Sequence, residues 1–222
     1  MRGRFITFEG GEGTGKSTHA ALLTQRLRAL GVGVVLTREP GGSPGAEVIR
    51  HVLLSGAAQA LGPDAEAILF AAARLDHVSS TIEPALAHGR WVVCDRFTDS
   101  TRVYQGMVGG VDPKVIKGLE RVAVGDLKPD LTFVLDVPAE VGLARAKKRR
   151  GEHATDRFEG EELEYHEQLR DGFRLLAVSE PDRCVLIDAS AMHAVVANRI
   201  WRAVSKRLDP STAPVALEGA AS

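Results

Sequence analysis

Residues Gly10, Gly11, Glu12, Gly13, Thr14, Gly15, Lys16 and Ser17 fill the pattern G-x-x-x-x-G-K-[ST] in full. Their flanks matter as much as the match. An apolar, β-prone run at 5–8 precedes them, and 17–30 follows with Leu22, Leu23, Leu27 and Leu30 at helical spacing. A strand, a glycine loop and a helix N-terminus in that order form a phosphate cradle. The glycines let backbone N–H groups turn inward, and the helix start adds a favourable dipole. Lys16 adds a cation and Ser17 offers a hydroxyl to Mg²⁺. These eight residues, with Thr18 beside them, are the candidate ligands of a nucleoside triphosphate.

A cradle of this kind sits between a parallel strand and its crossover helix, and the rest of the chain supplies that architecture. Apolar runs at 5–8, 32–36, 91–94, 131–137 and 184–187 alternate with helical stretches at 17–30, 45–54, 65–87, 114–123, 139–149, 163–177 and 191–207. Strands apolar on both sides belong in a parallel sheet covered on both faces. The expectation is an α/β, P-loop NTPase-type three-layer fold, with a parallel five-stranded sheet flanked by helices on both faces. The 222 residues suit one domain, placed at 1–208. Residues 209–222, rich in Pro, Ala, Ser and Gly, read as a disordered tail. The 28 basic and 29 acidic side chains nearly cancel, which gives no reason to expect nucleic acid as a partner. No apolar stretch approaches the ~20 residues of a membrane span, and the N-terminus lacks a signal peptide's apolar core. Cys94 and Cys184 lie in apolar runs and read as buried, reduced strand residues, so a cytoplasmic enzyme is expected.

Two further signals fall at strand ends, where open α/β sheets gather their ligands. The run at 91–94 ends in Asp95-Arg96, an acid placed near Mg²⁺ or a transferred phosphoryl group and a base placed to grip phosphate. Taken alone, the dipeptide reads equally well as a structural salt bridge. After the second strand comes Thr37-Arg38-Glu39-Pro40-Gly41-Gly42, whose Pro-Gly-Gly makes a tight turn; its bland reading is a charged surface loop. Arg38 and Arg96, from separate loops, suggest a phosphate site additional to the cradle.

Over about residues 4–205 the chain resembles the bacterial thymidylate kinases. The resemblance rests on Phe8-Glu9-Gly10, Thr37 to Gly42, Leu69-Phe70-Ala71-Ala72-Ala73-Arg74, Asp95-Arg96, Ser100-Thr101 with Tyr104-Gln105-Gly106, and Pro129-Asp130-Leu131-Thr132 before Leu135-Asp136. It implies transfer of the ATP γ-phosphoryl to dTMP with Mg²⁺, and a homodimer. It also implies roles. Phe70, which by itself reads as a core aromatic, stacks on thymine, and Arg74, four residues on, hydrogen-bonds a thymine carbonyl. Thr101, with Ser100 and Gln105, completes the base pocket, and Tyr104 lies under the deoxyribose. Arg38 and Arg96 hold the acceptor phosphate, and Glu9 joins the acceptor side. Glu12 binds the acceptor's 3′-hydroxyl, which moves the catalytic arginine to a lid at about 145–160; Arg149 and Arg150 are the candidates. Lys16, Asp95 and Arg96 complete the catalytic set, with Ser17 and Asp95 toward the metal. His19 and His77 read as surface or packing residues.

Two alternatives remain at this point. A kinase for another nucleotide or a deoxynucleoside is the nearer, although a nucleoside acceptor leaves Arg38 without a phosphate to hold. A P-loop NTPase switch is the other, and the chain lacks the Asn-Lys-x-Asp that guanine-binding switches carry.

Overall fold

In the computed structural model, residues 2–150, 158 and 161–210 are described. Five strands, β1 (Phe5–Glu9), β2 (Val34–Arg38), β3 (Trp91–Asp95), β4 (Leu131–Asp136) and β5 (Cys184–Asp188), pair in the order β2-β3-β1-β4-β5. Every pairing is parallel. Period-two alternation divides the central strands between two cores. Ile6, Phe8, Val93, Leu131, Phe133 and Leu135 pack toward α1 (Lys16–Ala29) and α9 (His193–Leu208). Phe5, Val92 and Cys94 face the opposite way, as does Val134, which packs against Phe173 and Leu176 of α8 (Leu163–Ser179). The expected three layers are present. The edge strands β2 and β5, unlike the central three, mix buried residues with half-buried and exposed ones, as strands with one open side do.

On the second face, α2 (Pro44–Leu54), α3 (Gly62–His77) and α6 (Pro113–Val124) lie side by side, with Ala67 and Ile116 sharing a small core. The helix expected at 65–87 is instead α3, a π-helical turn (Val78–Ile82) and α4 (Glu83–Ala87). Pro84 explains the change: it has no N–H, and its ring crowds the carbonyl four residues back, which a wider turn relieves. Strand β2 begins two residues later than expected. The N–H of Val32 closes the end of α1 on the carbonyl of Leu27, and Gly31, at φ 81°, makes the reversal. The shift sets Arg38 at the last strand position, in register with Asp95.

One helical segment was not expected: α5 (Thr98–Thr101), running into a π-helical turn (Arg102–Val108). Thr98 to Thr101 are polar or β-branched, so local propensity does not announce it. Distant contacts hold it. Asp99, fully buried, accepts from Arg183 Nη1 at 2.6 Å and Nη2 at 2.9 Å. Arg183 also donates to Thr132 Oγ1 at 2.7 Å, and Thr132 bonds Thr7 at 2.7 Å. This chain of contacts ties α5 to β4 and β1. Both cysteines are buried free thiols. The remaining helix, α7 (Ala139–Arg150), carries the start of the expected lid; residues 151–157, 159 and 160, the side chain of Arg150, and the tail at 211–222 lie outside the described residues.

Candidate active site

The cradle is built by glycine geometry. Gly15, at φ 93°, is the N-cap of α1, which has no capping side chain and no acid in its first turn. The first N–H groups of the helix are therefore left for an anion. Gly13 lies against α7, where a Cβ would sit 1.9 Å from the carbonyl oxygen of Gly142. Lys16 Nζ donates to the carbonyls of Gly10 at 3.0 Å and Gly11 at 2.7 Å, so the ammonium already stands inside the loop. Burial, then the charge of Arg96, lowers its pKa to about 8, against the opposing pull of Glu12, Asp95 and Glu9.

At the carboxyl end of β3, Arg96 adopts a left-handed backbone (φ 70°), a conformation that costs a non-glycine residue about 1–3 kcal/mol. The bend aims its guanidinium across the mouth of the loop. It bonds Glu12, Ser100 Oγ at 3.3 Å and the carbonyl of Gly10 at 3.4 Å, and it lies 5.1 Å over the Tyr104 ring. The Tyr104 hydroxyl donates to Glu12 at 3.2 Å. Burial would raise the pKa of Glu12, but Arg96 and Lys16 hold it down at about 2. Glu9, directly behind, accepts from the Phe97 N–H at 2.7 Å and Ser100 Oγ at 2.6 Å. Burial, then the charge of Asp99, pushes Glu9 up to about 8. Ser17 Oγ donates to Asp95 Oδ2, while Asp95 Oδ1 is buried with no hydrogen-bond partner. A hydroxyl beside an unsatisfied carboxylate oxygen suits a hard, oxygen-seeking cation. Among the described residues no cluster of three or more His, Cys, Asp or Glu would hold a metal alone, so a cation here would take its other ligands from phosphate or water.

A cavity of about 330 Å³ runs from this junction to an aromatic pocket. Of the expected residues, Glu12, Gly13, Gly15, Lys16, Ser17, Thr18, Asp95 and Arg149 line its cradle end. Arg38, Phe70, Arg96, Ser100, Thr101, Tyr104 and Gln105 line the other. Glu9, Gly10 and Arg74 lie behind the wall, and Gly11 and Thr14 face a separate small pocket across the loop. Arg38 is exposed and paired with Glu47 at 3.0 Å. Arg74, buried, donates through Nε to Glu39 at 2.6 Å, through Nη1 to Thr101 at 3.2 Å, and through Nη2 to the Phe97 carbonyl at 3.1 Å.

The structure adds residues that sequence reasoning missed. Glu39, Pro40, Arg50, Leu54 and Phe158 also line the cavity. Phe158 packs with its ring 6.1 Å from Phe70 and 5.5 Å from Tyr104. His77, read from sequence as a surface or packing residue, is fully buried and joins Glu39 at 3.0 Å to Thr37 at 2.7 Å. Glu66 is buried against Gln105. A signal for these existed: Glu66, Phe70, Arg74 and His77 recur at intervals of four, four and three, one face of α3.

The thymidylate kinase family model matches residues 8–200. A thymidylate kinase of Bradyrhizobium diazoefficiens is 59% identical over 214 residues, covering 96% of this chain and 94% of that protein. One from Rhodopseudomonas palustris strain BisB18 is 61% identical over 208 residues, covering 93% of this chain and 90% of that protein. Among solved structures, the thymidylate kinase of Ehrlichia chaffeensis superposes with a TM-score of 0.73 at 34% identity, covering 92% of this chain and 99% of that one.

Proposed function

Because the chain belongs to the thymidylate kinase family, it transfers the γ-phosphoryl group of ATP to dTMP, giving dTDP and ADP, and we propose that the two ends of the cavity divide that work. One observation carries the division. An uncapped helix start with its lysine opens onto the same cavity as a half-buried aromatic pocket, and Arg96 stands between them. The cradle end, Gly10 to Thr18, takes ATP. The pocket end takes dTMP, with Phe70 against the base, Thr101 and Gln105 at its edge, Arg74 behind them, and Tyr104 beside Glu12 at the sugar. Arg38 and Arg96 take the acceptor phosphate. Glu9, bonded to Ser100, braces that side.

Phosphoryl transfer through a loose transition state asks for alignment and charge stabilisation rather than a strong base. The acceptor is a phosphate that is already anionic, so no side chain need remove its proton. Lys16 and the loop amides hold the donor phosphates, and Arg96 holds the acceptor in line with them. Arg149, at the cavity and close enough to Glu12 to bias its charge, is the lid arginine placed to meet the transferring group. Ser17 and Asp95 are the residues that would hold Mg²⁺, which supplies neutralisation of phosphate charge when bound. Closure over the site would keep water from taking the phosphoryl group.

An assay of ADP release across acceptors tests this. With MgATP, dTMP is expected to outpace dUMP by about tenfold to two-hundredfold, the worth of one methyl, and to outpace dCMP, dGMP and AMP by more. Activity should vanish with EDTA and return with Mg²⁺. Equal rates for all acceptors would remove the assignment.

The homodimer also has physical support. The outer face of α2, α3 and α6 exposes Val48, Val52, Ile68, Leu75, Val115 and Val122. On α3, Ile68 and Leu75 are seven apart with exposed Ala72 between them, an unbroken apolar stripe. Such a contiguous face calls for a partner, and a second copy is proposed. Sedimentation should give a dimer at micromolar concentration, and Leu75→Arg should give a folded monomer; a monomeric parent would refute this. No helix among the described residues is long and apolar enough to cross a membrane. Its substrates and its two free thiols support a cytoplasmic place, which cell fractionation would check.

A further inference from the structure

We propose that Glu66 is a positioning residue that selects the acceptor base by fixing which way the Gln105 amide faces. This deepens, and rests on, the dTMP reading of the pocket. Gln105 lies in the π-helical turn after α5 and is 2% exposed, yet it lines the cavity. Its backbone is pinned, since its carbonyl accepts from the Val111 N–H at 3.0 Å. Its amide is held at one point: Nε2 donates to Glu66 Oε2 at 3.3 Å. Glu66 is 4% exposed, comes from α3, and does not line the cavity.

The chemistry of that single bond decides the polarity of the pocket. The terminal torsion of glutamine is soft and roughly two-fold, and its oxygen and nitrogen are nearly the same size. Packing alone does not distinguish the two orientations. A carboxylate does, because it only accepts. With Glu66 beneath, the nitrogen must turn toward Glu66 and the oxygen away from it. That oxygen has no hydrogen-bond partner among the described residues. Arg74, which bonds Thr101 of the same cavity wall, is of opposite character, since a guanidinium only donates. It has committed one N–H each to Glu39, Thr101 and Phe97, which leaves one further N–H on each terminal nitrogen.

The cavity therefore meets an acceptor at Gln105, with the donating guanidinium of Arg74 behind Thr101 in its wall. Thymine and uracil carry the complement along one edge, a carbonyl oxygen next to an N3–H. Cytosine carries the reverse, an amino group next to a bare N3. An unanchored Gln105 would rotate and meet cytosine with its N–H₂. Anchored, it sets oxygen against the cytosine N3 lone pair, the kind of polar mismatch that sites reject strongly. Glu66 thus acts on specificity without touching substrate.

Glu66→Gln supplies the test, because glutamine offers Gln105 either a carbonyl or an amide and so permits both orientations. The readouts are kcat/KM for dTMP and for dCMP, KM for ATP, and melting temperature. The expected result is a fall of about tenfold or more in the dTMP:dCMP ratio, mainly through a gain with dCMP, with KM for ATP unchanged. Swapping the pair, Glu66→Gln with Gln105→Glu, returns an oxygen to the cavity and should recover the ratio relative to the single variant. It also serves if the single variant folds poorly. An unchanged ratio in Glu66→Gln, where Gln105→Ala lowers it, overturns the role of Glu66 and leaves the pocket assignment standing. A ratio unchanged in both overturns the assignment of Gln105 to the base.

Discussion

Lys16→Ala is expected to lower kcat by about 10³ with dTMP, and equally with any weaker acceptor, while dTMP still binds. Its ammonium is the cation that the cradle holds among the loop carbonyls, 3.0 Å from Gly10 O and 2.7 Å from Gly11 O. Triphosphate is a far better partner than a carbonyl, so the bond is expected to shift to the donor phosphates when ATP arrives. Alanine removes the cation but leaves the glycine geometry, because Gly13 and Gly15 owe their conformation to the approach of α7 and to the start of α1. Stability should change little, since Gly10 O keeps the Arg96 Nη1 contact at 3.4 Å and Gly11 O keeps the Thr14 hydroxyl at 3.0 Å. Steady-state kinetics and dTMP calorimetry together check this. A kcat within tenfold of the parent would remove Lys16 from the transfer step, and loss of dTMP binding would mean the loop had collapsed.

That residue is also among the most legible in the sequence, and the reason is physical. A phosphate cradle is made by one contiguous turn, so its determinants are neighbours in the chain. The central strands are legible for a similar reason: β1 is buried along its whole length, and its residues say so. Legibility fails where contacts are remote. Segment α5 depends on Asp99 meeting Arg183, 84 positions away, and nothing local in Thr-Asp-Ser-Thr predicts that. His77 and Glu66 read as ordinary polar helix positions until α3 is seen to press its polar face inward, against Glu39 on one side and Gln105 on the other. The Val32 misplacement has the same origin, since an apolar residue used to close a helix looks identical to one that opens a strand.

Burial gives the site a graded set of charges. Glu12 remains ionised at a pKa of about 2, because Arg96 and Lys16 outweigh the cost of its burial. Glu9, behind it and crowded by Asp99, is pushed up to about 8 by its burial. Neighbouring carboxyls shift in opposite directions because Arg96 and Lys16 outweigh burial at Glu12 but not at Glu9. Glu12 sits where a sugar hydroxyl could donate to it; Glu9 braces Ser100 and the backbone of Phe97.

Arg96→Ala is expected to cost about 10³–10⁵ in kcat/KM for dTMP, and it must be separated from a folding defect. Arginine here does two things. It is the half-buried counter-ion of Glu12, and desolvation disfavours its charge less than Tyr104, Glu12, Asp95 and Glu9 favour it, so its pKa is raised. Removing it leaves Glu12 to Lys16 and the Tyr104 hydroxyl and should destabilise the fold by about 1–3 kcal/mol. Glu12→Gln in the same chain removes the carboxylate charge, and the double variant should regain most of that stability. It should not regain activity, because no fork remains to align the acceptor phosphate with the cradle. Arg96→Lys keeps the charge without the fork and should fall between, with KM for dTMP rising and KM for ATP unchanged. Thermal denaturation and kinetics on the three variants decide the matter. If the double variant recovered turnover along with stability, Arg96 would be a counter-ion of Glu12 and nothing more.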